Sequence, residues 1–155
     1  MAEGEKVQND ARREPPGPLV LAINLCDTVI RDELTKKVSL IGLFGVIWSK
    51  QFPCLHRQLN VHVAMTGGHG KQEIEVRLLR VSDDKPIIGM RGPMEFSDPL
   101  QVAELVIGWS NVPFEKPGKY AIQVCCGKNG GVLASRDFNV VRPDADQSGP
   151  DGVQT

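Results

Sequence analysis

The stretch over residues 19–48, LVLAINLCDTVIRDELTKKVSLIGLFGVIW, constrains the fold of this chain more than any other. It reads as two apolar strands joined by a charged connection, acidic first and basic after. In the second strand, over residues 38–48, Val38, Leu40, Phe44, Val46 and Trp48 alternate with Ile41, Leu43 and Ile47. A strand apolar on both faces is expected deep in a sheet, covered above and below, with every later strand packed on or beside it.

The rest of the chain reads in the same two-residue period. Residues 59–66 set Leu59, Val61, Val63 and Met65 against Asn60, His62, Ala64 and Thr66, and residues 73–81 set Ile74, Val76 and Leu78 against Glu73, Glu75 and Arg77. The glycine-rich TGGHGK between them predicts a hairpin, with a slip in the pattern at Leu79 that marks a bulge. Residues 86–96 carry Gly89, Gly92 and Pro93, so an edge strand or a bent one is expected there. Residues 101–109, 119–126 and 132–141 alternate again. About eight short strands with regular turn signals and no helical period predict an all-β fold, an antiparallel two-sheet β-sandwich, immunoglobulin-like or jelly-roll. The charged, proline-rich ends predict a disordered lead over residues 1–18 and a disordered tail over residues 143–155, leaving one β-sandwich domain over residues 19–142.

Composition narrows the function classes. With 18 basic and 19 acidic side chains, net charge −1, nothing pulls the whole chain toward nucleic acid or anionic lipid. No apolar run approaches the ~20 residues of a membrane helix, and the polar start lacks the core of a secretory signal. Cys26, Cys54, Cys125 and Cys126 form no CxxC pair, so reduced thiols in a cytoplasmic protein are expected.

The segments over residues 26–48, 51–67 and 111–141 resemble an uncharacterised, mainly bacterial family of single-domain proteins of unknown function. The similarity spans roughly residues 25–141. Its most specific parts are SLIGxF, residues 39–44, and NxPFxxPGxY, residues 111–120. The resemblance implies a β-sandwich; it carries no activity, so no catalytic residue follows from it. Gly45 departs from the pattern, where a polar residue, often aspartate, is looked for. PGKY is also similar to the start of the penultimate strand in immunoglobulin-like sandwiches, where a tyrosine hydroxyl bonds back to the backbone. The simpler alternative makes Tyr120 an inward core aromatic only.

Candidate chemistry is sparse. Cys54, His56, His62 and His69 are zinc-ligand types, but Cys54-x-His56 is a poor chelate pair, and no metal site is expected. Gly67 to Lys71 lacks the spacing, the Ser or Thr and the following helix of a phosphate loop. Gly108-Trp109-Ser110 lacks the second glycine of a nucleophile elbow, and no histidine follows Ser110. Asp27, Asp32 and Glu33 lie among Arg31, Lys36 and Lys37 and read as a neutralised loop. No catalytic, cofactor-binding or metal residue is expected. The leading expectation is a non-enzymatic interaction module that binds a protein partner, or self-associates, through an edge strand, with residues 86–96 as the candidate edge. The alternative is a small-ligand-binding or weakly catalytic sandwich with a site near Asp27, His56, His62 and Trp109.

Overall fold

A computed structural model describes residues 16–144. The expectations for residues 1–15 and 145–155 lie outside the described residues. Inside them the two-residue period gives nine strands and no helix: β1 (Leu19–Arg31), β2 (Val38–Leu43), β3 (Val46–Trp48), β4 (Cys54–Thr66), β5 (Gly70–Arg80), β6 (Lys85–Phe96), β7 (Ala103–Phe114), β8 (Gly118–Cys126) and β9 (Gly131–Val141). They form a four-stranded sheet A, order β2-β1-β4-β7, and a five-stranded sheet B, order β3-β9-β8-β5-β6. All pairings are antiparallel except β3 with β9.

The inner faces of the two sheets make one core. Leu25, Leu59, Val61, Val63 and Met65 of sheet A meet Val76, Leu78, Ile122 and Val124 of sheet B, and all are fully buried. Each such side chain contributes about 1.5–3 kcal/mol by leaving water. At one end Phe114, Tyr120 and Phe138 form an aromatic cluster, Phe114 edge-on to the other two at 4.9 and 6.1 Å between centroids. The Tyr120 hydroxyl donates to the Lys116 carbonyl at 2.6 Å, so the immunoglobulin-like reading of PGKY holds and the core-only alternative is corrected: Tyr120 is buried in the core and also bonds back to the backbone.

Leaving β1 aside, the strand order is immunoglobulin-like. The β2–β3 segment takes the place of a first strand shared between sheets, β4 and β7 follow it in one sheet, and β9, β8, β5 and β6 order the other. β1 is inserted between β2 and β4. The bulge expected at Leu79 lies between Leu78 and Leu79, and β6 is the edge strand expected over residues 86–96.

Two expectations are corrected. Residues 38–48 are not a central strand: β2 is the last strand of sheet A and β3 the last of sheet B, with the crossing at Phe44 and Gly45. The Phe44 amide still donates to the Leu25 carbonyl of sheet A, while the Gly45 carbonyl accepts from Asn139 of sheet B. The segment is apolar on both sides because it serves two sheets and leaves part of its surface uncovered. Nor do residues 59–66 and 73–81 form a hairpin. β4 pairs with β1 and β7, β5 with β6 and β8, and the glycine turn carries the chain from one sheet to the other. Alternation specifies a strand with one buried face, but it does not name the neighbour that buries it.

Candidate functional site

Each sheet turns one face to solvent, and the two outer faces differ in chemistry. Cross-strand partners point to the same side, so the registers assign every residue to a face. On sheet B the charged outward positions are Lys71, Glu73, Glu75 and Arg77 of β5, Arg91 and Glu95 of β6, Lys119 of β8 and Asp137 of β9; Gln123 of β8 and Ser135 and Asn139 of β9 share the face. Ion pairs run across them: Arg77 to Glu75 at 3.8 Å, Arg91 to Glu73 at 3.6 Å and Lys119 to Asp137 at 3.9 Å. Arg77 also holds the Gln123 amide oxygen with two nitrogens, at 3.0 and 2.9 Å. This is a solvated, charge-balanced face.

Sheet A turns out Ala22, Asn24, Cys26, Thr28 and Ile30 of β1, and Gln58, Asn60, His62, Ala64 and Thr66 of β4. β7 adds Glu104, Val106, Gly108 and Ser110, and β2 adds Ser39, Ile41 and Leu43. Glu104 is the one carboxylate in this set, and no lysine or arginine joins it. It is tied to His62, whose side chain is only 9% exposed. The Asn24 amide nitrogen can only donate, so the His62 Nδ1 at 3.2 Å accepts; Nε2 then carries the proton and donates to Glu104 Oε1 at 2.9 Å. A second chain of bonds lies beside it. Ser110 donates to Gln58 Oε1 at 3.1 Å, Gln58 Nε2 donates to Asn60 Oδ1 at 3.1 Å, and Asn60 Nδ2 donates to the Asp27 carbonyl at 2.7 Å. Gly108 makes room for these amides, since a Cβ there would stand 2.9 Å from Asn60 Oδ1 and 3.1 Å from Gln58 Nε2.

This weakly charged face runs into the edge of β2. Ile30, Ile41 and Leu43 are 50, 49 and 62% exposed. β2 contains no proline and no charged residue, and its one backbone irregularity is Gly42 at φ 71°. At that φ a side chain is strained, and a Cβ would also crowd Asp27 Cβ at 3.1 Å, which favours glycine. The other edges are blunted. β6 holds Pro86, Pro93, Lys85 and Arg91, β7 has Pro113 and the left-handed Asn111, and β3 is three residues long. On the stretch of β1 that β2 leaves unpaired, the Arg136 guanidinium donates to the Ile23 carbonyl.

The residues picked out from the sequence fall apart. His62 sits on the outer face of sheet A; Trp109, 5% exposed, is in the core. Alternation inverts at Arg57 and Asn111, so Cys54, His56, Val112 and Phe114 point inward below the kink. His56 packs against Phe44 at 5.7 Å between rings, and its Nε2 is buried with no partner among the described residues. Burial lowers its pKa, and the nearby Asp27 opposes that shift only in part. Asp27 and His56 are thus neighbours, away from His62. Asp32 caps the β1–β2 turn, accepting from the Leu34 and Thr35 amides at 2.9 and 2.6 Å, which holds its carboxyl below the usual range. The burial of Cys26 and Cys125 pushes both thiols up, away from reactivity. No three His, Cys, Asp or Glu side chains converge on a metal position among the described residues.

Three concavities lie elsewhere. An open one of about 530 Å³ at the end of sheet B is lined by Lys71, Glu73, Arg91, Lys128 and Leu133. None of the three is lined by Asp27, His56, His62 or Trp109. The described residues contain no helix long and apolar enough to cross a membrane.

Residues 21–141 match the model of the "Family of unknown function (DUF6941)", and the chain belongs to that family. No curated protein matches the chain. Among solved structures it is similar to an alkylpurine DNA glycosylase of Pseudomonas fluorescens bound to DNA containing an abasic site analog. That match has 12% identity and TM-score 0.43, and covers 63% of this chain and 27% of that one. It is also similar to a beta-glucosidase of Kluyveromyces marxianus, with 13% identity, TM-score 0.40, and 70 and 16% coverage. A third is the CARDB domain of a Pyrococcus furiosus protein in complex with di-metal ions, with 15% identity, TM-score 0.36, and 83 and 95% coverage. The chain spans about a quarter of the first of these and a sixth of the second.

Proposed function

We propose that this protein is a non-enzymatic interaction module that docks a protein partner on the outer face of sheet A and along the edge of β2. The observation that carries the reading is the contrast in charge between the two outer faces. Protein interfaces are marked less by overall hydrophobicity than by depletion of charge at their centre. Sheet A's outer face has that composition, with one carboxylate, hydrogen-bonded to His62, and amide groups that can pair with a partner backbone. The β2 edge beside it, unpaired among the described residues, adds main-chain donors and acceptors for an incoming strand. Residues 86–96 do form an edge, but Pro86, Pro93 and Arg91 within it and Lys85 just before it guard it, which favours β2 as the docking strand.

The test compares the two faces in the full chain. Val106→Glu puts a charge on sheet A's outer face beside His62, and Gln123→Glu puts one at the centre of sheet B's. Proteins co-purifying with the wild-type chain from cells should be lost with Val106→Glu and kept with Gln123→Glu and with Met90→Lys on β6. Retention by Val106→Glu, with loss by either control, contradicts the reading.

A further inference from the structure

We infer that the strand added to β2 is the β2 of a second copy of this chain, so that the protein forms a two-fold dimer through antiparallel β2–β2 pairing. This rests on the docking reading above and names its occupant. β2 presents apolar side chains on both faces, with Val38 and Leu40 turned in and Ile41 and Leu43 turned out. The strand that complements it must therefore be apolar on both faces, free of proline and free of charge. β2 itself meets that description. Charge points the same way: in a two-fold contact each patch meets its own copy, and a strand without charges brings no like pair together.

The register follows from the pleat. Outward residues must oppose outward residues for sheet A to continue across the axis, so the axis passes through a residue and not between two. An axis at Leu40 sets Lys37 against Leu43 of the other copy. An axis at Ile41 sets Ile41 against itself, Ser39 against Leu43 and Val38 against Phe44, all within the uncharged stretch. The second register is the one assigned. It joins two four-stranded sheets into one and covers Ile30, Ile41 and Leu43. A six-residue strand edge buries on the order of half the ~800 Å² per partner of a standard complex, so the dimer should be reversible with a Kd in the ~micromolar range.

Sedimentation of the full chain across a dilution series should show a monomer–dimer equilibrium. Ile41→Lys sets two ammonium groups face to face across the axis and should raise Kd at least about tenfold. Ile41→Cys, mildly oxidised, should give a disulfide-linked dimer that wild type and Met90→Cys do not. Thermal unfolding of each variant confirms that the fold is intact. A wild-type chain that stays monomeric up to millimolar concentration overturns the dimer. If that monomer still captures a foreign protein in an Ile41-dependent way, the docking reading stands and only its occupant changes. A dimer indifferent to Ile41→Lys overturns the β2 assignment.

Discussion

The two outer faces of this sandwich are built on the same period-two pattern and do opposite things with it. Sheet B spends its outward positions on Glu73, Glu75, Arg77, Arg91, Lys119 and Asp137, paired loosely in solvent. Sheet A's amides and His62 are hydrogen-bonded in place, and an apolar strip lies beside them at β2. A face that only has to stay soluble can be charged anywhere, since exposed ion pairs contribute ~0–1 kcal/mol each. A face that has to be covered cannot, because every charge it carries must be desolvated.

The largest single-site stability effect should come from the less charged face. His62→Ala leaves the Asn24 amide and Glu104 without their partner in a half-buried position, and should cost about 1–3 kcal/mol in urea unfolding. A change below that range would mean the ladder is ornamental and the contrast between faces is weaker than drawn. Gly108→Ala on the same face pushes a methyl against Asn60 and Gln58 and should cost about 1 kcal/mol by loss of their bond. On the opposite face Arg77→Ala or Lys119→Ala should change stability by less than ~1 kcal/mol. Salt near 1 M should erase what remains of those effects, while leaving association through sheet A nearly untouched.

Acid should separate buried from exposed groups in a similar way. His56 has its pKa lowered by burial, so below the ordinary imidazole value of about 6.5 the unfolded chain takes up a proton that the folded one resists. Stability conferred above that pH is therefore lost as pH falls through it, and His56→Phe should flatten this part of the profile. A second loss belongs to Asp83. Arg80 hydrogen-bonds its carboxylate, holding the pKa down to about 2; its contribution is full above the usual carboxylate range and disappears as pH drops toward 2. Asp83→Asn should remove that lower step and leave the His56 step in place.

Much of the fold was legible in the sequence, and the places where reading stopped have physical reasons. One-sided alternation at Ile74, Val76 and Leu78 or at Leu59, Val61 and Val63 identified strands and their buried faces. It could not say that the glycine turn at residues 67–70 crosses between sheets, because a hairpin and a crossing impose the same local pattern. The two-sided apolarity of residues 38–48 was visible too, but burial inside a sheet and exposure at an edge awaiting a partner leave the same trace. The candidate face is partly legible: Asn60 and His62 stand on the polar side of their strand. Glu104 and Ser110 joined them only once the β4–β7 register was known. The inward turn of His56 depends on the paired kink at Arg57 and Asn111, which no single-strand pattern signals.

Hydrogen exchange, read peptide by peptide on the full chain free and in complexes captured from cells, tests the central claim most directly. The account predicts slowed exchange in complexes over residues 38–43 and along β7, with β6 and β9 unchanged. Protection that falls on β6 or β9 while β2 and β7 exchange as in the free chain would contradict it.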